Sequence, residues 1–390
     1  MSVNLQRWLE VAASAAIEAG KAIIEVVRDE RGIEARIKEN DGDFVTCADR
    51  SSQRIICSIF ESAFPELSIY GEETIEPGGL DKTTRSQQIA SITMKDMSLL
   101  QDTCPHVRYI PCQEALSIDD CFVLVDPLDG TFNYVNSCYY SVGISIGLCY
   151  QGEAIGGVMY YPFLSEEMQR QYDFLPPTEV MSNGERVKYP FLDDLVKYQG
   201  QPCLSLLYGI RYGSYYNCNL PSTKKLLDSF ALSSSPSATN DLYLQTREFT
   251  PKMKRGLEEA VRGLIKRDVG DKRQREPHPE VSITTRGFYG ALCKFREFLL
   301  CLGGCNGVIY YKGYLRAWDI CAFAGIARAL GLPVYVVQGS DEAPPTYPHF
   351  EAVDYGQKIR MLLATRMNDT FTVGLAACME DLFRDVLLDT

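Results

Sequence analysis

Apolar positions along this chain follow two periods, and the switches between them predict its elements. From Met1 to Val27 they recur at helical spacing, with Leu5, Trp8, Leu9, Ala12, Ala16 and Ala19 on one face. A surface helix with one buried stripe is expected there. The charged stretch Arg28 to Asp43 predicts a turn or a pair of strands. Helical spacing returns over Thr46 to Phe64, where Ile55, Ile56, Ile59, Phe60 and Phe64 share a face and Pro65 ends the run. Leu67 to Tyr70 reads as a short strand leading into Gly71-Glu72-Glu73. Residues 76–118 lose both periods and predict an insertion bordering a site.

The strongest strand signal is Cys121 to Val125, a continuous apolar, β-branched run. It delivers Asp126-Pro127-Leu128-Asp129-Gly130-Thr131, two carboxylates three positions apart on a turn stiffened by Pro127 and permitted by Gly130. Strands follow at Tyr140 to Leu148 and Ala154 to Tyr161, and Asn183-Gly184 marks a turn. Pro190 to Pro236 reads as irregular. Beyond it come a helix over Thr250 to Ile265, an exposed charged loop over Lys266 to Pro279 and a helix over Gly290 to Leu302. A strand at Val308 to Tyr311, a helix at Trp318 to Leu330 capped by Gly331, and a strand at Pro333 to Val337 complete the pattern. Strand–helix alternation of this kind predicts a layered α/β fold. The expected division is an N-terminal unit, 1–189, and a C-terminal unit, 190–390.

Composition narrows the chemistry. The chain has 390 residues and a formal net charge of −12, which argues against nucleic acid or an anionic membrane surface as partner. No run of about 18 apolar residues suggests a membrane span, and nothing at the N-terminus resembles an export signal. Fourteen cysteines without a secreted-scaffold pattern predict free thiols and a cytoplasmic location. Cys301 and Cys305 lack zinc-ligand spacing, and the three histidines form no catalytic pattern.

What remains is acidic. Asp49, Glu72, Asp126, Asp129 and Asp319 all stand at strand ends or helix starts beside apolar segments, positions that can converge on one edge of a sheet. Taken singly each is a surface charge or a helix cap. Converged, they need protons or metal to relieve their repulsion, and an oxygen-only ligand set selects Mg²⁺, Mn²⁺ or Ca²⁺.

The ordered elements Val45-Thr46-Cys47-Ala48-Asp49, Gly71-Glu72-Glu73, Asp126 to Thr131 and Trp318-Asp319 resemble the inositol monophosphatase superfamily of Mg²⁺-dependent, lithium-sensitive phosphatases. The resemblance implies an αβαβα sandwich and two or three Mg²⁺ ions, with Mn²⁺ as substitute and Li⁺ as inhibitor. It implies metal ligation by Glu72, Asp126, Asp129, Asp319, Asp49 and the Leu128 carbonyl. Asp49 and Thr131 would help to activate the attacking water, and Glu73 would handle protons. Gly130 and Thr131 would present backbone N–H groups to phosphate.

For the substrate, a small phosphate ester, the resemblance divides. The long separation of Glu72 from Asp126, the segment Gly290-Ala291-Leu292-Cys293-Lys294 and Arg316 resemble the 3′(2′),5′-bisphosphate nucleotidase branch, where Lys294 and Arg316 would meet a second phosphate. Thr131-Phe132-Asn133-Tyr134-Val135 is closer to the monophosphatases, and inositol polyphosphate 1-phosphatase is the third alternative. Lys312 stands where monophosphatases carry an acidic residue, and Thr246-Arg247-Glu248-Phe249 lacks the histidine of the nucleotidases. A non-catalytic metal-binding regulator with this fold is the alternative of another class. Oligomeric state is not legible.

Overall fold

The computed structural model describes residues 2–29, 33–38, 44–73, 104–175, 178–182, 184–195, 198, 201, 204–220, 242–246, 251–269, 281–285, 290–302, 305–338, 346–352, 356, 359–366 and 371–379. The first part of the chain runs β1 (Ser2–Asn4), α1 (Leu5–Arg28), β2 (Ala35–Ile37), β3 (Phe44–Thr46), α2 (Cys47–Ala63) and β4 (Ser68–Gly71). Next come β5 (Ala115–Ser117), β6 (Cys121–Asp129), α3 (Thr131–Val135), β7 (Gly143–Tyr150), β8 (Glu153–Tyr160) and α4 (Glu166–Tyr172). The order continues with β9 (Glu179–Ser182), β10 (Glu185–Lys188), α5 (Leu192–Leu195), β11 (Leu206–Tyr212), β12 (Tyr215–Cys218), β13 (Leu242–Thr246) and α6 (Pro251–Val269). Last are β14 (Val281–Thr285), α7 (Ala291–Leu299), β15 (Cys305–Leu315), α8 (Ala317–Leu330), β16 (Val334–Gln338) and β17 (Ile359–Thr365).

Two sheets organise these elements. One has six strands in the order β12-β11-β8-β7-β6-β4, the other five in the order β14-β13-β15-β17-β16. Helices α1 and α2 pack on one face of the six-stranded sheet and α8 on the other. α7 lies against β15 of the second sheet, and α6 contacts β14. The result is the alternation of helix and sheet layers expected from the sequence.

The six-stranded sheet is covered on both faces, so β6 is buried throughout and reads as an unbroken apolar run. Alternate residues serve different cores, as a period of two requires. Val123 and Val125 pack with Trp8, Ile56 and Phe60 under α1 and α2. Phe122 and Leu124 join the core around α7 and α8. The stripe predicted on α1 is buried along its length. α8 lies directly on strand backbone: a Cβ on Gly157 would overlap the Ala322 carbonyl, and one on Gly325 would overlap Gly156.

Some expected elements shift. The strand expected from Tyr140 begins at Gly143, because Val142 N–H closes a turn onto the Tyr139 carbonyl (3.1 Å) and Tyr140 stacks on Tyr189. The stretch expected to be irregular, 190–236, holds β11 and β12, and β11 pairs with β8. The six-stranded sheet therefore runs across the 189/190 division expected from the sequence. Within the expected insertion, 76–118, residues 76–103 lie outside the described set, and Ala115–Ser117 forms β5 against β1. Most of the expected loop Lys266 to Pro279 also lies outside the described residues. No described helix is long and apolar enough to cross a membrane. Among the described residues no disulfide is formed.

Candidate metal centre

The site forms where β4 and β6 end side by side. The two strands are parallel, with Gly71 opposite Val125, and Glu72 N–H donates to the Val125 carbonyl (3.0 Å). That register sets Glu72 beside Asp126. The β6–β7 ladder is irregular between Asp126 and Asp129, where Pro127 has no N–H to give. Two interactions hold the resulting turn: Ser52 of α2 donates to the Pro127 carbonyl (2.7 Å), and Leu128 N–H donates to Asp126 Oδ1 (3.0 Å). Gly130 then adopts a left-handed conformation (φ +84°) that a side chain would strain, and Thr131 opens α3.

Helices from far along the chain close the site. α8 begins at Ala317, and Asp319 in its first turn accepts from Arg316 N–H (2.6 Å). Ser145, opposite Asp126 in the ladder, donates to the Trp318 carbonyl (3.1 Å) and ties that helix start to the strand. Asp129 accepts from the Ala291 and Leu292 N–H groups at the start of α7 (2.8 and 2.9 Å). Tyr161 braces the same turn by donating to the Leu292 carbonyl (2.6 Å). Fully buried Arg296, one helical turn further, lies over the Tyr161 ring (4.5 Å).

Carboxyl oxygens of Asp126, Asp129 and Asp319 lie within 4.8 Å of one another. Burial, then the charges of Glu72, Asp129 and Asp319, hold the Asp126 carboxyl well above its ordinary range. Burial also raises Glu72, Asp129 and Asp319, against the two N–H bonds that favour ionised Asp129 and the Lys38 charge that favours ionised Glu72. Two unit charges 4.8 Å apart repel by about 3 kcal/mol at an effective dielectric constant of about 20. Protons or a cation must therefore occupy this cluster. The donor set is carboxylate oxygen without nitrogen or sulfur, so a hard divalent ion such as Mg²⁺ fits.

A second arm runs through Asp49, which is fully buried at the start of α2. Its Oδ2 accepts from Thr46 N–H (2.8 Å) and Thr46 Oγ1 (2.6 Å), and its Oδ1 accepts from Thr131 Oγ1 (3.1 Å). Burial outweighs the Thr46 bonds and lifts Asp49 to about 7. Thr131 Oγ1 also lies 3.1 Å from the Leu128 carbonyl. The long-range approach of Asp49 to Thr131 brings together residues 82 positions apart.

Lys38 and Gln53 had no place in the sequence reading. Lys38 Nζ sits 2.6 Å from both Glu72 Oε1 and Glu73 Oε1. Burial alone would lower this amine, but the attraction of Glu72 and the bonds to both carboxylates raise it instead. Gln53 accepts from Glu73 N–H (2.9 Å) and donates to the Glu73 carbonyl. The available signal for Gln53 was its spacing, four after Asp49, on the same helix face. Lys38 stood in a charged run with no signal to single it out.

The two expected phosphate contacts are placed differently. Lys294 is buried in α7, its Nζ 4.8 Å from the Tyr310 ring centre, and its charge favours the ionised form of Asp129. Arg316 Nη1 donates to the Gly356 carbonyl (2.7 Å).

A two-sheet sandwich with an acidic, oxygen-only cluster at the strand ends defines a class of α/β protein with a candidate cation site. Residues 4–175 match the model of the inositol monophosphatase family. The chain is 34% identical over 159 residues to 3′(2′),5′-bisphosphate nucleotidase 1 of Rattus norvegicus, covering 41% of this chain and 48% of that protein. It is 30% identical over 163 residues to inositol-1-monophosphatase of Synechocystis sp., covering 42% and 43%. The matches thus span about half the length, or less, of these curated relatives. The structure of a staphylococcal IMPase-I complexed with products superposes with a TM-score of 0.50 at 13% identity, covering 96% of each chain, and shares the fold.

Proposed function

We propose that this chain is a Mg²⁺-dependent phosphomonoester hydrolase that removes the 3′(2′)-phosphate of a nucleoside 3′(2′),5′-bisphosphate. The observation that carries the hydrolase reading is the convergence of Asp126, Asp129 and Asp319 beside the Asp49–Thr131 contact. Glu72, Asp126, Asp129 and Asp319, with the Leu128 carbonyl, would hold the metal, and Asp49 would join a further ion. When bound, the metal neutralises the phosphate and polarises its P–O bonds. The residues do the rest. Thr131 Oγ1 orients the attacking water and takes its proton while passing its own to Asp49 Oδ1. Asp49 Oδ1, 3.1 Å from Thr131 Oγ1, is placed to accept that proton. Gly130 and Thr131 N–H groups, on the left-handed turn, bind phosphate oxygens. Glu73 is kept in place by Gln53 and Lys38.

Identity of 34% over 159 residues with the rat bisphosphate nucleotidase, and Lys294 beside Asp129, support the bisphosphate substrate. Similarity to the Synechocystis monophosphatase supports inositol phosphate as the second reading. The test is phosphate release in Mg²⁺ from adenosine 3′,5′-bisphosphate, inositol 1,4-bisphosphate and inositol 1-phosphate in parallel. Fast release from the first is expected, with at least a 100-fold loss in Asp126→Asn. Turnover confined to an inositol ester would overturn the nucleotide assignment. No release from any of the three would leave the non-catalytic regulator.

A further inference from the structure

A groove between β2 and the start of α2 is rich in arginine although the chain as a whole is acidic. It has a volume of about 190 Å³, and its lining includes Arg36, Arg50, Arg54, Glu34, Thr46 and Cys47. Arg50 and Arg54 are one turn apart on α2 and share a face. Arg36 comes from β2, whose pairing with Val45 sets it beside the start of that helix. All three arginines are exposed, and among the described residues none makes an ion pair or hydrogen bond. Glu34 is the acidic group in the lining. Three guanidinium groups against one carboxylate leave a local positive field in a chain of net charge −12.

We propose that this groove is a second anion site, separate from the acidic cluster, that binds a small oligophosphate of two linked phosphoryl groups. Planar guanidinium forks match phosphate oxygens in pairs, and three of them can grip two phosphoryl groups from several directions. The volume equals that of about six liquid waters, which suits such an anion. Its lining includes none of Glu72, Asp126, Asp129 and Asp319. Asp49 turns its carboxylate inward to Thr131, whereas Arg50, the next residue, faces out. Ligand binding here therefore needs neither the metal centre nor the hydrolase activity proposed above.

The test is calorimetric titration of the metal-free full chain with inorganic pyrophosphate. One ion should bind per chain, at least tenfold more weakly in 0.5 M than in 0.05 M salt. Arg50→Ala/Arg54→Ala should weaken binding at least tenfold while keeping the wild-type thermal midpoint, since both side chains are exposed. Asp126→Asn should bind pyrophosphate as the wild type does. Absence of saturable binding, or unchanged binding in the double arginine variant, would overturn the proposal. Loss of binding in Asp126→Asn alone would also overturn it, by assigning the anion to the acidic cluster, and would leave the hydrolase reading standing.

Discussion

Replacing Asp49 by Asn should remove a pH-dependent part of the protein's stability, and its size follows from burial. Asp49 is lifted from an ordinary 3.8 to about 7 by loss of solvent. Between those values the folded state holds a proton that the unfolded chain has released. Stability is thus fully present below 3.8, falls as pH rises, and levels off above 7. A displacement of about three pH units corresponds to about 4 kcal/mol, of which roughly 3 kcal/mol is lost between pH 5 and 8. Glu72, Asp126, Asp129 and Asp319 are raised in the same direction, so they steepen the wild-type curve and persist in the variant. The assay is urea denaturation of metal-free wild type and Asp49→Asn at pH 5, 6, 7 and 8. The stability difference between the two should move by roughly 3 kcal/mol in favour of Asn across that range. Parallel curves, with a difference constant to within about 0.5 kcal/mol, would refute the account of Asp49 as a buried carboxyl that resists ionisation. Adding Mg²⁺ should flatten the wild-type curve, because a cation relieves the charge that costs stability at high pH.

Other consequences are equally direct. Gly157→Ala forces a methyl group into the Ala322 carbonyl, a backbone group that cannot turn aside, and should cost about 3 kcal/mol in thermal unfolding. Tyr161→Phe deletes the bond to the Leu292 carbonyl and should lower stability in urea by about 1 kcal/mol. Because that bond braces the turn that donates to Asp129, the same variant should bind Mg²⁺ more weakly by calorimetry. Gly130→Ala puts a side chain at φ +84° and should cost about 1 kcal/mol, with a larger fall in phosphate release than in stability.

Local signals carried a good part of this architecture. The continuous apolar run before Asp126 marks a strand covered on both faces, and the amphipathic stripe of α1 marks a helix lying on that sheet. β11, β13, β14 and β17 were not legible, because each is defined by partners distant in sequence. β11 pairs with β8 some fifty positions earlier, and β17 lies between β15 and β16. The acidic residues could be nominated from their places at element ends, since a strand end followed by a turn has few other uses for two carboxylates. Their neighbours could not. The bond from Ala291 N–H to Asp129 spans 162 positions and is made by backbone, which leaves no mark in residue type. Lys38 was hidden for another reason: a lysine among charges looks like a solvated side chain until a sheet edge presents two glutamates to it.

The glycine floor beneath α8 bears on how this scaffold can diverge. Asp319 reaches Asp126 on a helix that rests on strand backbone at Gly157 and Gly156 rather than on interlocking side chains. Main-chain atoms have fixed volumes, so the spacing between the two carboxylates is insulated from drift in residue size elsewhere in the core. Substitutions in Phe295, Phe323 or Leu362 can repack the far side of the helix without altering its height above the sheet. Such a bearing surface separates two inherited properties. Carboxylate spacing is locked by a few glycines, while side chains elsewhere in the core are free to change.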